Sequence, residues 1–311
     1  MKFNILFLIA VLITSQACSG QKSTTSNQET SVSNSLKKRP SSPPIKVKRE
    51  FMISAKGAEP FILTETNYDK KGNVLLVKSF DFYGSGEQDG SVKSEYSEEG
   101  NLISKTQVSD GQSTFYNYKY NSKNQKIEES WKRENGQGEI TKYSYDKKGN
   151  ELELKYFKLD GKHDFSRVYE YEYDSKGNII SEKKWEKYTD GYADLLQYHI
   201  NRVYENDQLK SITHLTDKGK PRSMEEYKYD ENGLKVATID SSSSGSSKEV
   251  FVYNEYREVI ENKTGRIMKD GSKELDIHSK TTYDKYGNTT GYIYLKGSID
   301  SYGTKFEYEF H

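Results

Sequence analysis

Cysteine occurs once in the 311 residues, at Cys18, so no disulfide within the chain can brace the fold. Large apolar residues are also scarce. Hydrophobic residues make up 32% even with tyrosine counted, and mean hydropathy is −0.96. Adding the 23 glycines lifts the apolar share to about 39%, against about 45–50% for an ordinary globular domain. A compact single-core enzyme of this length would be unusually polar. The 26 tyrosines outnumber the 14 tryptophans and phenylalanines together, so burial must rely on an amphipathic ring whose hydroxyl needs water or a partner. A thin, extended architecture suits that composition.

Long hydrophobic runs are lacking too. The one apolar stretch, Phe3 to Ile13, is too short for the roughly 20 residues of a stable membrane anchor. With Met1-Lys2 before it and Thr14-Ser15-Gln16-Ala17-Cys18 after it, it reads as a cleaved export signal. The cleavage region resembles the lipobox of bacterial lipoproteins, in which the cysteine is acylated and becomes the new amino terminus. Ala17 and Cys18 match that motif, and Ser15 stands where the family usually has leucine. The resemblance implies a signal peptide over 1–17, lipidation of Cys18 and a membrane partner through the lipid, hence a place in the bacterial cell envelope. Ordinary signal-peptidase cleavage at the same bond is the other reading.

Net charge is zero overall but uneven: residues 1–49 hold eight Lys/Arg and one acid, leaving the remainder at −7. Eight arginines among 47 basic residues, scattered over an acidic body, do not make the basic stripe of a nucleic-acid binder. Residues 18–49 are Ser, Thr, Asn, Gln and Lys with three of the five prolines, at Pro40, Pro43 and Pro44. They are expected to form a disordered basic tether.

What the rest of the chain has in abundance is self-similarity. Tyr68, Tyr96, Tyr120, Tyr145, Tyr173, Tyr204, Tyr229, Tyr253 and Tyr283 recur at intervals of 24 to 31 residues, with Tyr308 closing the series. Four residues after these anchors stand Gly72, Gly100, Asn124, Gly149, Gly177, Gln208, Gly233, Arg257 and Gly287. In Tyr145-Asp146-Lys147-Lys148-Gly149-Asn150 the aspartate accepts a backbone N–H two residues on, and the glycine supplies the positive φ that starts the next strand. Alternating aromatics such as Tyr118/Tyr120 and Tyr143/Tyr145 precede the turns. Seven places after the anchor an aliphatic residue recurs: Leu75, Ile103, Ile127, Leu152, Ile180, Val236 and Ile260, with Ser211 and Thr290 breaking the rule. Each unit is thus two strands and two turns. The fold expected over 50–311 is all-β, a repeat array of about 18 antiparallel strands in a long twisted or curled meander sheet, either a half-barrel or a wrapped sheet. Strands such as Ser181 to Lys187 place charges where a lipid-facing band would be needed, which argues against an outer-membrane barrel.

At these residues the sequence resembles the YD-repeat units of bacterial RHS-type proteins, whose mark is Tyr-Asp, two variable residues, Gly, then Asn or Arg. The likeness spans about 60–311 and is weakest at Tyr204 to Gln208 and Tyr253 to Arg257. It implies an extracytoplasmic all-β surface protein, in a family often described as sugar-binding or as a shell around toxins.

Catalytic chemistry is not marked. His163, His199, His214, His278 and His311 lack ligand-like spacing, and no nucleophile elbow or phosphate loop occurs, so neither enzyme activity, metal nor cofactor is expected. Binding of a glycan or another surface protein is the expected function, with a non-catalytic envelope spacer as the alternative. The longest unit carries Trp185, Tyr188, Asp190, Tyr192, Asp194 and Tyr198, aromatic faces beside carboxylates, and is the expected ligand site. The glycines at 72, 100, 149, 177, 233 and 287 are expected to be structural.

Overall fold

The computed structural model describes residues 37–54, 59–81, 85–267, 273–295 and 302–311. The leader, Cys18 and the tether up to residue 36 lie outside them. The described residues hold twenty strands and no helix. They are β1 (Ile45–Ser54), β2 (Phe61–Tyr68), β3 (Val74–Phe80), β4 (Gln88–Tyr96), β5 (Leu102–Ser109), β6 (Gln112–Tyr120), β7 (Lys126–Arg133), β8 (Gly138–Tyr145), β9 (Glu151–Lys158) and β10 (His163–Tyr173). The series continues with β11 (Ile179–Tyr188), β12 (Leu195–Glu205), β13 (Gln208–Leu215), β14 (Pro221–Tyr229), β15 (Lys235–Ser242), β16 (Gly245–Tyr253), β17 (Val259–Ile267), β18 (Lys273–Tyr283), β19 (Thr289–Leu295) and β20 (Tyr302–Phe310).

Every strand pairs antiparallel with its neighbours in sequence, and β20 pairs back on β1 from Phe310↔Ile45 to Tyr302↔Ser54. The sheet is therefore a closed barrel, not the open meander or half-barrel expected from the repeats. The strand that closes it was hidden in the expected tether: Ile45 to Arg49 begin β1, which carries no Tyr-Asp mark. The tether boundary at residue 49 is corrected accordingly. Lys37 and Arg39 also lie on the barrel, bound to Glu255 and Glu258.

Followed once around the barrel, the ladder registers return to β1 displaced by about 22 residues, which for twenty strands means a tilt of about 40° and a backbone radius of about 18 Å. A barrel this wide has a lumen that side chains cannot fill. Accordingly each strand touches only its two ladder neighbours. Among the described residues no large side chain is fully buried, and the buried apolar set is Val47, Leu154, Tyr156 and Ala237.

Chirality decides which face lines the lumen. Asp69 bonds forward to Asn73 on the β3 side, so by alternation Thr64, Thr66 and Tyr68 address β1. For L-residues in strands that coil right-handedly, that places the tyrosine face on the concave side. Exposure agrees: in β6, Thr114, Tyr116, Tyr118 and Tyr120 are half-buried while Phe115, Asn117 and Lys119 are exposed. The outer face carries the ion pairs Lys119–Glu128, Lys155–Glu153 and Lys183–Glu170, and the set Arg49–Glu65–Lys78. Each lysine or arginine on a lipid-facing wall would cost about 2–4 kcal/mol at mid-membrane, and each glutamate somewhat less, so this outer face suits water.

The repeat has a definite mechanical meaning. Beside each of the nine anchors the ladder slips by one residue. The extra residue of these bulges is Leu75, Ile103, Ile127, Leu152, Ile180, Lys210, Val236, Ile260 or Thr290. A bulge bends its strand and leaves the ladder locally open. The next anchor mends it: Tyr120, Tyr145, Tyr229, Tyr253, Tyr283 and Tyr308 donate to the carbonyls of Leu102, Lys126, Leu209, Lys235, Val259 and Thr289. In the unit of Tyr173 this task falls to Tyr171, which donates to Glu151.

Candidate functional site

The repeat turns form one rim of the barrel. In the turn after Tyr145 the Asp146 side chain accepts the backbone N–H groups of Lys148 and Asn150, both at 2.8 Å, while Gly149 sits at φ +93°. Gly72, Gly100, Gly177, Gly233 and Gly287 also have positive φ, from +76° to +93°. Asn124 and Arg257 adopt the same conformation without being glycine. Gln208 does not belong to that series. Its turn is one residue shorter, with Asn206 and Asp207 both left-handed, and Gln208 already begins β13.

The other rim holds the expected ligand residues, and the structure divides them. Tyr188 points inward opposite Phe165, and its hydroxyl donates to Glu186 at 2.9 Å. Tyr192 is the most exposed of the large hydrophobic residues described, at 72%, and stands edge-on to Tyr188 at 6.2 Å. Tyr198 lies inward but deeper, and its hydroxyl donates to Glu182. Asp190 and Asp194 are exposed in the connection between β11 and β12. Trp185 faces Val168 and Leu196 on the outer side of the sheet and does not join the other rings.

The sequence reading missed what stands beside Tyr188. Tyr156 and Phe165 stack at 4.2 Å, Phe165 lies 6.1 Å from Tyr188, and Tyr192 continues the row to the mouth. Arg167 spans this row: its guanidinium donates to the Tyr156 hydroxyl at 2.7 Å and to Glu186 at 3.2 Å. Next along the wall, β6 to β9 line a wide-open recess of about 410 Å³ bordered by Tyr116, Glu129, Trp131, Arg133, Glu139 and Tyr143, with Tyr156 shared between recess and row. The missed signal was alternation across units. Tyr156, Phe165 and Arg167 fall on one face only after the β9–β10 register, which skips a residue between His163 and Phe165, is known.

Electrostatics follow from crowding on the concave wall. Burial pushes the Tyr143 hydroxyl up, helped by Glu129. Burial likewise raises the Glu139 carboxyl. Glu186 is held below the ordinary carboxylate range: its burial acts upward, but hydrogen bonds from Tyr188 and Arg167 outweigh it. The wall thus offers aromatic faces, carboxylates of differing acidity and guanidinium groups side by side. Among the described residues no group of three His, Cys, Asp or Glu side chains is arranged to hold a metal ion.

No family model matches the chain, and no curated protein does. Among solved structures, 84% of the chain aligns with a chain of the Photorhabdus luminescens Tc holotoxin pore, at 11% identity and TM-score 0.36. A chain of the TcdB2–TccC3–Cdc42 complex aligns over 82%, at 11% identity and TM-score 0.32. The match covers 18% and 19% of those two chains, so this chain spans about a fifth of their length. A porin-like protein from Bacteroides uniformis aligns over 87% of this chain and 98% of its own, at 10% identity and TM-score 0.37. All three are distant likenesses.

Proposed function

We propose that this chain is an exported, lipid-anchored binding protein of the cell envelope whose barrel wall takes a carbohydrate. The observation that carries the reading is the row Tyr156–Phe165–Tyr188–Tyr192 leading from the Trp131 recess to the open mouth, with Arg167 and Glu186 alongside. A pyranose presents C–H faces to aromatic rings and hydroxyls to charged and polar neighbours, and this wall supplies both. Tyr192 and Tyr188 are the exposed end of the row, Asp190 and Asp194 flank them, and the recess would seat the sugars beyond.

The test is a glycan array on the full chain, followed by titration of the best glycan. Replacing Tyr188 and Tyr192 together with alanine should weaken binding about 100-fold, since each lost aromatic platform is worth about 1–1.5 kcal/mol. The melting temperature should stay within a few degrees, because neither ring is deeply buried. A second reading, a non-catalytic spacer, is favoured by the ion-paired outer wall. An array without a hit, together with a large melting shift in the double variant, would leave only the spacer.

A further inference from the structure

The segment 37–44 lies along the repeat-turn rim, and its contacts are specific. Arg39 donates from Nε and Nη2 to the two oxygens of Glu258 at 2.6 and 2.7 Å, and from Nη1 to the Asp284 carbonyl at 2.7 Å. Its guanidinium also lies 4.2 Å above the Tyr256 ring. Lys37 reaches Glu255 at 2.5 Å, Asn288 donates to Ser42 at 3.3 Å, and the His311 N–H donates to the Pro44 carbonyl at 3.0 Å.

The turn that receives Arg39 is the one that departs from the repeat. Five places after the anchor, the other turns carry Asn73, Asn101, Gln125, Asn150, Asn178, Leu209, Leu234 or Asn288; only this one has a carboxylate, Glu258. It also keeps Arg257 at φ +62° where six units use glycine. Glu255, Tyr256 and Glu258 have a common explanation in the segment they hold. A bidentate carboxylate under a guanidinium stacked on an aromatic ring is an arginine-recognition arrangement.

The location matters as much as the chemistry. Among the described residues the β1–β20 seam is the one ladder between strands far apart in sequence; every other pairing belongs to adjacent strands. It is therefore where the barrel can part without dissolving any unit. The segment starts at β1 and passes beyond β20 to the β18–β19 and β16–β17 turns, so it bridges the seam from outside the ladder.

We propose that the 254–258 turn is a socket for an arginine-bearing segment, that its occupant is the chain's own residues 37–44, and that this strap locks the seam of the barrel. Hydrogen exchange on the full chain tests it. In Arg39→Ala the amides of β1 and β20 should exchange about tenfold faster while those of β6 to β9 change by less than about twofold, the pattern of a local opening. Glu258→Gln should reproduce the contrast. If either substitution prevents folding, Tyr256→Leu keeps the ion pair and should give the same contrast at about threefold. Unchanged protection of β1 and β20, or equal acceleration in every strand, would overturn the proposal.

Discussion

The turn aspartates show how much one side chain settles. Desolvation acts to raise the Asp146 carboxyl, but the Tyr173 hydroxyl, the Asn150 side chain and two backbone N–H groups outweigh it and hold the group at about 2. A carboxyl held lower in the folded than in the unfolded chain lends its stabilisation above about pH 4 and loses it as pH falls toward 2. Asp69, Asp174 and Asp284 are lowered in the same setting. Asp146→Asn keeps an acceptor for the backbone but removes the titration. Its melting temperature should fall less steeply between pH 4 and pH 2 than that of the parent; parallel acid limbs would show that Asp146 does not contribute. Gly149 makes a second case at this scale. With φ +93° and no close backbone neighbour, Gly149→Val should cost about 1–2 kcal/mol through left-handed strain, and Lys147→Val less than about 0.5 kcal/mol, in denaturant melts. Both residues were legible in the sequence because a turn is local: Asp, Gly and their spacing contain the whole instruction.

At the scale of the hairpin the sequence was readable in part. The aliphatic residue seven places after seven of the nine anchors was visible as a period, but its meaning as the extra residue of a bulge was not, since a bulge exists only relative to the opposing strand. The same holds for the anchors. Alternation marks Tyr120 as facing one side, and nothing nearby reveals that its hydroxyl closes the gap at Leu102. Tyr120→Phe should therefore cost about 1–2 kcal/mol, the loss of a bond plus a carbonyl left without its partner. Tyr116→Phe, on the same strand and face, should cost less than about 0.5 kcal/mol. Equal costs in chemical denaturation would mean that the tyrosines act through their rings alone. Trp185 illustrates the opposite error. It sits in the aromatic-rich unit, yet its register with Val168 turns it outward, and a single-residue slip is enough to exchange the faces.

Closure belongs to the whole molecule and was not legible in any unit. It depends on the accumulated stagger of twenty ladders and on β1, which carries no Tyr-Asp mark and whose first five residues follow Pro43-Pro44 directly in a basic stretch. Met52 and Thr304 face each other across the seam. A Met52→Cys, Thr304→Cys pair in a Cys18→Ala chain should therefore oxidise to a disulfide that joins the two ends; reduced thiols under the same conditions would point to an open sheet. The two rims are unlike. The chain enters at the repeat-turn rim, where Arg39 is clasped, and Tyr192 stands at the opposite one. A pull on the chain ahead of Lys37 is thus delivered to the turns of β16 to β19 rather than to the aromatic mouth. Under the lipid anchoring proposed above, the barrel would be a cup standing on its base, with its aromatic lip at the end away from the tether.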